Sequence, residues 1–164
     1  MLKWLRSVKP SSKATGLTGL VLALAVSTIT VFEGFAPVGW HDKIDPKGVN
    51  TVCYGHIEGV KVGDRYTKEQ CMALLKKDLP RYEAMVKAAI HVPMPPHRHA
   101  AILSFTYNVG GAALKKSSVA RYLNAGDVKR GCDALLLYNR ANGKVIRGLQ
   151  TRRTKERQMC LRTD

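Results

Sequence analysis

The chain has 164 residues, enough for one compact domain or a small two-lobed one whose core needs neither disulfides nor metal to form. Apolar residues at 45% and charged residues at 24% exclude a disordered tail and the low-complexity classes. Lysine and arginine number 27 against 12 acids, and the net charge of +15 favours a polyanionic partner: nucleic acid, an anionic membrane or an acidic cell-wall polymer.

The first feature in chain order is Ala14 to Phe32 (ATGLTGLVLALAVSTITVF), an uncharged run of 19 residues. That length is at the threshold for crossing a bilayer. Lys3, Arg6, Lys9 and Lys13 precede it, and no acid occurs before Glu33. The positive-inside rule then leaves the amino end in the cytoplasm and exports everything after residue 32. About half of the run is Ala, Gly, Ser or Thr, so its hold on lipid is weak. Three readings compete: a permanent signal anchor, a signal peptide cleaved after Ala25, and a segment that enters the membrane and later leaves it. The third is favoured on motifs that follow, dividing the chain into 1–32 and 33–164.

Export admits disulfides. Cys53, Cys71, Cys132 and Cys160 allow three pairings; closeness along the chain favours Cys53 with Cys71 and Cys132 with Cys160 without settling the matter. Cys53-x-x-His56 has the spacing of metal ligands, but no second pair completes a zinc site, so neither metal nor cofactor is expected.

Beyond Phe32 the pattern predicts a β-hairpin, Phe35 to Ile44 and Val49 to Tyr54, turning at Asp45-Pro46-Lys47-Gly48. Thr67-x-x-Gln70 is a capping box opening a long amphipathic helix to about Ile90, which Pro80 should kink or split. HVPMPP at 91–96 breaks the pattern, and the crowded His91, His97 and His99 suggest a surface turn. Helices are predicted over Arg98 to Val109, ended by Gly110-Gly111, and over Ser118 to Ala125, Val128 to Asn139 and Thr151 to Leu161. The class is α+β and helix-dominated: a small hairpin lobe, a connecting helix and a helical lobe, with the binding site in the cleft between lobes.

Chemistry centres on the acids of the hairpin region, Glu33, Asp42 and Asp45. Glycoside hydrolysis needs one protonated and one ionised carboxyl group across a bond. Glu33, between Phe32 and Phe35, has an apolar setting that favours the protonated form. Asp42, between His41 and Lys43, has a polar setting that favours the ionised one. Glu33-Gly34 with Asp42, then GVNTVCYGH (48–56), TKEQCMALLKKDL (67–79), SFTYNVG (104–110), LNAGD (123–127) and LQTRRTKERQMC (149–160), resembles the phage-type lysozymes, glycoside hydrolase family 24. The four cysteine positions and the preceding apolar run are similar to those of lambdoid-type endolysins with a signal-anchor-release sequence.

The resemblance implies a two-lobed lysozyme fold and hydrolysis of the β-1,4 bond between N-acetylmuramic acid and N-acetylglucosamine in peptidoglycan, with inversion. It implies Glu33 as general acid and Asp42 as the carboxylate assisting water attack. Thr51 would hold that water, and Asn108 would face the cleft as a sugar-binding residue, although it also reads as a simple helix terminus. The family usually places five residues between Asp and Thr, whereas eight separate Asp42 from Thr51; Asp45 has the usual spacing and is the alternative second carboxylate. His56 and Asp78 fall where relatives place an ion pair joining hairpin and long helix. Arg152 and Arg153 with Glu156 read as an exposed charged helix face, or else as a contact to acidic stem peptides.

The related fold places the acid at the end of a short packed helix, and here that helix can come only from residues such as Ala25 to Phe32. A chain still held in the bilayer would therefore lack a complete site. The expected protein is a monomeric endolysin, membrane-tethered and then released to the periplasm, that lyses the host cell. Its partners are peptidoglycan and, transiently through residues 14–32, the inner membrane. Nucleic acid is not an expected partner, because the chain is exported and carries no signature of an RNA- or DNA-binding module. A lytic transglycosylase and a non-enzymatic cationic membrane-active protein are the alternatives.

Overall fold

The computed structural model describes residues 18–41 and 48–163. Helix α1, Gly19–Glu33, begins at Thr18, whose hydroxyl accepts from the Val21 amide, and stops at Gly34. Gly34 has φ +72°, a conformation that costs a side chain dearly, and the chain there turns into the hairpin. Strands β1, Ala36–His41, and β2, Asn50–Cys53, pair antiparallel with Trp40 opposite Thr51 and an irregularity between Ala36 and Trp40. The strands match the sequence reading; the turn and the two aspartates, Asp42 and Asp45, lie outside the described residues.

Helix α2, Lys68–Ala89, starts with both halves of the capping box at Thr67 and Gln70. It continues through Pro80, which corrects the expected split. Pro80 and Lys76, whose carbonyl loses its partner, both sit on the exposed side, where water replaces the missing bond. Helix α3, Pro96–Val109, is buried almost all round and forms the centre of the helical lobe. Around it pack α1, α2 and α7, Arg147–Leu161. Three short helices connect them: α4, Gly111–Lys116, which sequence patterning did not reveal, α5, Ser118–Asn124, and α6, Val128–Asp133. The helix expected over 128–139 ends at Asp133 and continues as a 3₁₀ turn, Ala134–Leu137. A second small hairpin, β3 Arg140–Ala141 and β4 Lys144–Val145, folds about Asn142 and Gly143, both at positive φ. The last helix starts four residues before the expected Thr151.

The core joins Val21, Ala25, Val26 and Ile29 of α1 to Leu75, Leu79 and Val86 of α2 and to Ile102, Leu103 and Phe105 of α3. The apolar run is thus part of the globule, and its helix is longer than the Ala25 to Phe32 stretch anticipated. Among the described residues no helix is long and apolar enough to cross a membrane. Disulfides Cys53–Cys71 and Cys132–Cys160 tie β2 to α2 and α6 to α7, the pairing that proximity favours. Cys53 is therefore no thiolate ligand for zinc. His97 and His99 are buried, contrary to the surface turn expected of them, because α3 begins at Pro96 and turns them inward. His99 Nε2 lies 2.6 Å from Glu83 Oε2.

Candidate active site

Glu33 is the last residue of α1, so docking the helix fixes the carboxyl at the junction of the two lobes. Its side chain is 22% exposed. Opposite it, residues 51–56 form a tight loop: Val52 and His56 exchange backbone hydrogen bonds of 2.9 and 3.0 Å. Cys53 at the loop's start has φ +63°, an unusual value for a residue with a side chain, and its disulfide to Cys71 anchors it there. Gly55, at φ +93°, leaves room beside the acid; a methyl group on it would lie 3.9 Å from Glu33 Oε2.

Glu33, Val49, Thr51, Gly55, Ile57, Tyr82, Tyr107 and Asn108 enclose a cavity of about 260 Å³. On the other side of Glu33 and Asn108 a groove of about 720 Å³ runs past Phe32, Ile146, Arg147, Gly148, Leu149, Thr151 and Arg152. The two spaces share Glu33 and Asn108: the cavity lies between the hairpin lobe and the helices, and the groove continues from it along α1 and the start of α7. Thr51 is buried and donates its hydroxyl to the His56 carbonyl at 3.3 Å. The structure therefore brings Glu33, Thr51 and Asn108 to one cleft.

Supporting groups hold this arrangement. His56 Nδ1 lies 2.7 Å from Asp78 Oδ2, a buried hydrogen-bonded pair that joins the hairpin lobe to α2 at the positions the resemblance implies. Tyr107 donates its hydroxyl to the Tyr54 carbonyl at 2.7 Å and packs its ring against Tyr82. Burial, and then the neighbouring Tyr82 and Glu33, hold the Tyr107 phenol far above its ordinary range, so it stays a donor.

The charged residues of α7 need the largest correction. Arg152, Arg153 and Glu156 are not an exposed face but buried, at 3%, 0% and 0% exposure. Arg152 Nη1 donates to Glu33 Oε1 at 2.6 Å, and Arg152 Nη2 donates to the Ser104 carbonyl. Arg153 donates to Asn108 Oδ1 and to the Tyr138 carbonyl. The apolar setting expected for Glu33 thus has a guanidinium at its inner edge, and Asn108, in the last turn of α3, is held by an arginine. Only the Arg-Arg-x-x-Glu spacing, which puts Glu156 one turn beyond both arginines, signals such a network in sequence.

The family model described as phage lysozyme matches residues 30–156. The SAR-endolysin of Bacteriophage PS119 is 37% identical over 155 residues, covering 92% of this chain and 93% of that protein. Among solved structures, the muramidase domain of SpmX from Asticaccaulis excentricus superposes with a TM-score of 0.78 at 30% identity, covering 85% of this chain and 95% of that one. The active form of P1 phage endolysin Lyz superposes with a TM-score of 0.74 at 27% identity, covering 84% and 83%.

Proposed function

The chain belongs to the phage lysozyme family, and from that premise we propose that it is an endolysin. Its reaction is muramidase hydrolysis of the bond between N-acetylmuramic acid and N-acetylglucosamine in bacterial peptidoglycan, and its purpose is host lysis. The observation that carries this reading is Glu33 at the lip shared by a small cavity and a long groove, with Thr51 and Asn108 lining the same cleft. Glu33 is the general acid. Arg152 engages Oε1 and orients the carboxyl, while Oε2, on the Gly55 side, is the oxygen that passes its proton to the departing sugar. Asp42, the next residue in sequence after β1, assists water attack from the other face, Thr51 holds that water, and Asn108 binds the sugar. The water lies between two carboxyl groups, so the configuration inverts. The protein works as a monomer.

The division at residue 32 is functional. Residues 14–32 first reside in the inner membrane with the amino end cytoplasmic, and after release to the periplasm α1 docks and completes the site. Two features suit α1 to both settings. The hydroxyls of Ser27, Thr28 and Thr30 donate to carbonyls of their own helix, at 3.0, 2.8 and 2.9 Å, so none needs water. And Glu33 follows directly on the apolar run, so the acid reaches the cleft only when the helix packs.

Digestion of purified peptidoglycan, with mass analysis of the fragments, tests the reading. The intact protein should release fragments one water heavier than anhydro products, and Glu33→Gln should lower the rate about 10²- to 10⁴-fold. Asp42→Asn should be similarly crippled, with Asp45→Asn active. Anhydro ends would establish a transglycosylase instead, and bacteriolysis undiminished in Glu33→Gln would establish a non-enzymatic membrane disruptor.

A further inference from the structure

Two neighbouring arginines buried together are unfavourable unless something pays for their desolvation and mutual repulsion. Glu156 does so. Its Oε1 accepts from Arg152 Nε at 3.0 Å and from the Ser104 hydroxyl at 2.7 Å, and its Oε2 accepts from Arg153 Nη1 at 2.5 Å. Three donors converge on one fully buried carboxylate. Each arginine then has a guanidinium nitrogen left for the cleft: Arg152 reaches Glu33 and Arg153 reaches Asn108.

We propose that Glu156 is a positioning residue for the glycosidase reaction, a single buried carboxylate that sets the direction of both arginines and so the placement of Glu33 and Asn108. The proposal deepens the reading of Glu33 as the acid and rests on it. Glu156 itself is sealed from the cleft and touches no substrate. It acts through Arg152 on the acid and through Arg153 on the sugar-binding amide. A purely structural pair would end on the protein interior; both arms of this one end on atoms that line the cleft.

Charge gives the proposal its second consequence. With Glu33 ionised, the quartet Glu33, Arg152, Arg153 and Glu156 is neutral; with Glu33 protonated, it carries one net positive charge. Neutralising Glu156 leaves two cations beside Glu33, and an adjacent cation favours the ionised form of a carboxyl group. The proton donor is then lost at a lower pH. Tyr107 of α3, a neutral phenol, interacts with Glu33, and Tyr82, Asp78 and Arg81 of α2 act on Tyr107 from behind. Asp78 is already paired with His56. From the hairpin, Asp42 and Asp45 lie outside the described residues.

The test is the pH–rate profile of the full-length released enzyme on a soluble muropeptide oligomer, with folding followed by near-ultraviolet circular dichroism. Glu156→Gln should lower kcat about tenfold and move the alkaline limb about one pH unit down, and Glu156→Asp should recover part of both. Ser104→Ala, which removes one donor and no charge, should lower kcat by a smaller factor. A folded Glu156→Gln with the parental kcat and alkaline limb would overturn the proposal. If Glu156→Gln does not fold, an unchanged kcat in Ser104→Ala overturns it. Activity surviving in Glu33→Gln would instead overturn the assignment of the acid, and the proposal with it. An inactive Glu33→Gln beside an unshifted Glu156→Gln overturns the proposal alone.

Discussion

Buried charge in this protein comes in partnered sets, and Glu83 shows what one such set does for stability. Burial pushes the Glu83 carboxyl up, but the hydrogen bond from His99, the charge of His99 and the Lys87 ammonium at 3.3 Å outweigh it and hold the carboxyl below its usual range. A carboxyl lowered on folding stabilises the folded state above the ordinary glutamate range, and that contribution disappears as the pH falls through the lowered folded value. Glu83→Gln should therefore lower the Tm at neutral pH and flatten its decline below about pH 4. Thermal unfolding between pH 2 and 7, roughly the span of the carboxylate titrations, measures it; parallel curves for the two proteins would contradict the assignment. The residue scale is also where sequence reading was weakest. The places of Glu33 and Asn108 at the cleft were legible through the family resemblance of the motifs that hold them. The burial of Arg152, Arg153 and Glu156 was not, because their partners are far along the chain: Glu33 is 119 residues from Arg152, and Ser104 is 52 from Glu156. A run of charges looks the same locally whether water or a distant carboxylate neutralises it.

Among the elements, α1 differs from the others in how little its sequence says about its packing. Helix α2 alternates apolar and charged residues, so its start at the Thr67 box and its inward face could both be read directly. Helix α1 is apolar all round, and periodicity in such a helix does not select the face that docks. The structure selects Val21, Ala25, Val26 and Ile29 for the core and leaves Val31 75% exposed. The distinction is measurable. Ile29→Ala deletes a fully buried side chain against α3 and should cost about 2–5 kcal/mol. It should also lower muramidase activity below what the remaining folded fraction explains, because the same helix carries Glu33. Val31→Ala, which lies on the wall of the groove and outside the core, should change stability by no more than about 0.5 kcal/mol. Equal costs at the two positions, by urea unfolding, would mean that α1 docks by another face. The short elements were missed for the opposite reason: α4 and the β3–β4 hairpin are six residues and two pairs of residues, too brief for a periodic pattern to register.

At the scale of the whole molecule, the proposed release asks one segment to serve two solvents, and its composition would set the balance between them. On that proposal lipid holds α1 by its apolar area, while the globule holds it by the fit of four side chains and by the Glu33–Arg152 pair. Small residues loosen the first hold without weakening the second. Gly19 is the clearest position at which to separate them, since a side chain built there meets no atom of the folded protein within 4 Å. Gly16 lies outside the described residues, but the same change there strengthens the lipid hold further. Leucine at either position adds roughly 1.5–3 kcal/mol of burial in the bilayer and shifts the equilibrium toward the membrane about tenfold to a hundredfold. Gly19→Leu, alone and with Gly16→Leu, should therefore accumulate in the inner-membrane fraction and delay lysis. The same protein, extracted with detergent and refolded in water, should keep the parental Tm and peptidoglycan-hydrolysing rate. Release of Gly16→Leu/Gly19→Leu at the parental rate would show that side-chain volume in this run does not control exit, and would overturn the role proposed for its small residues.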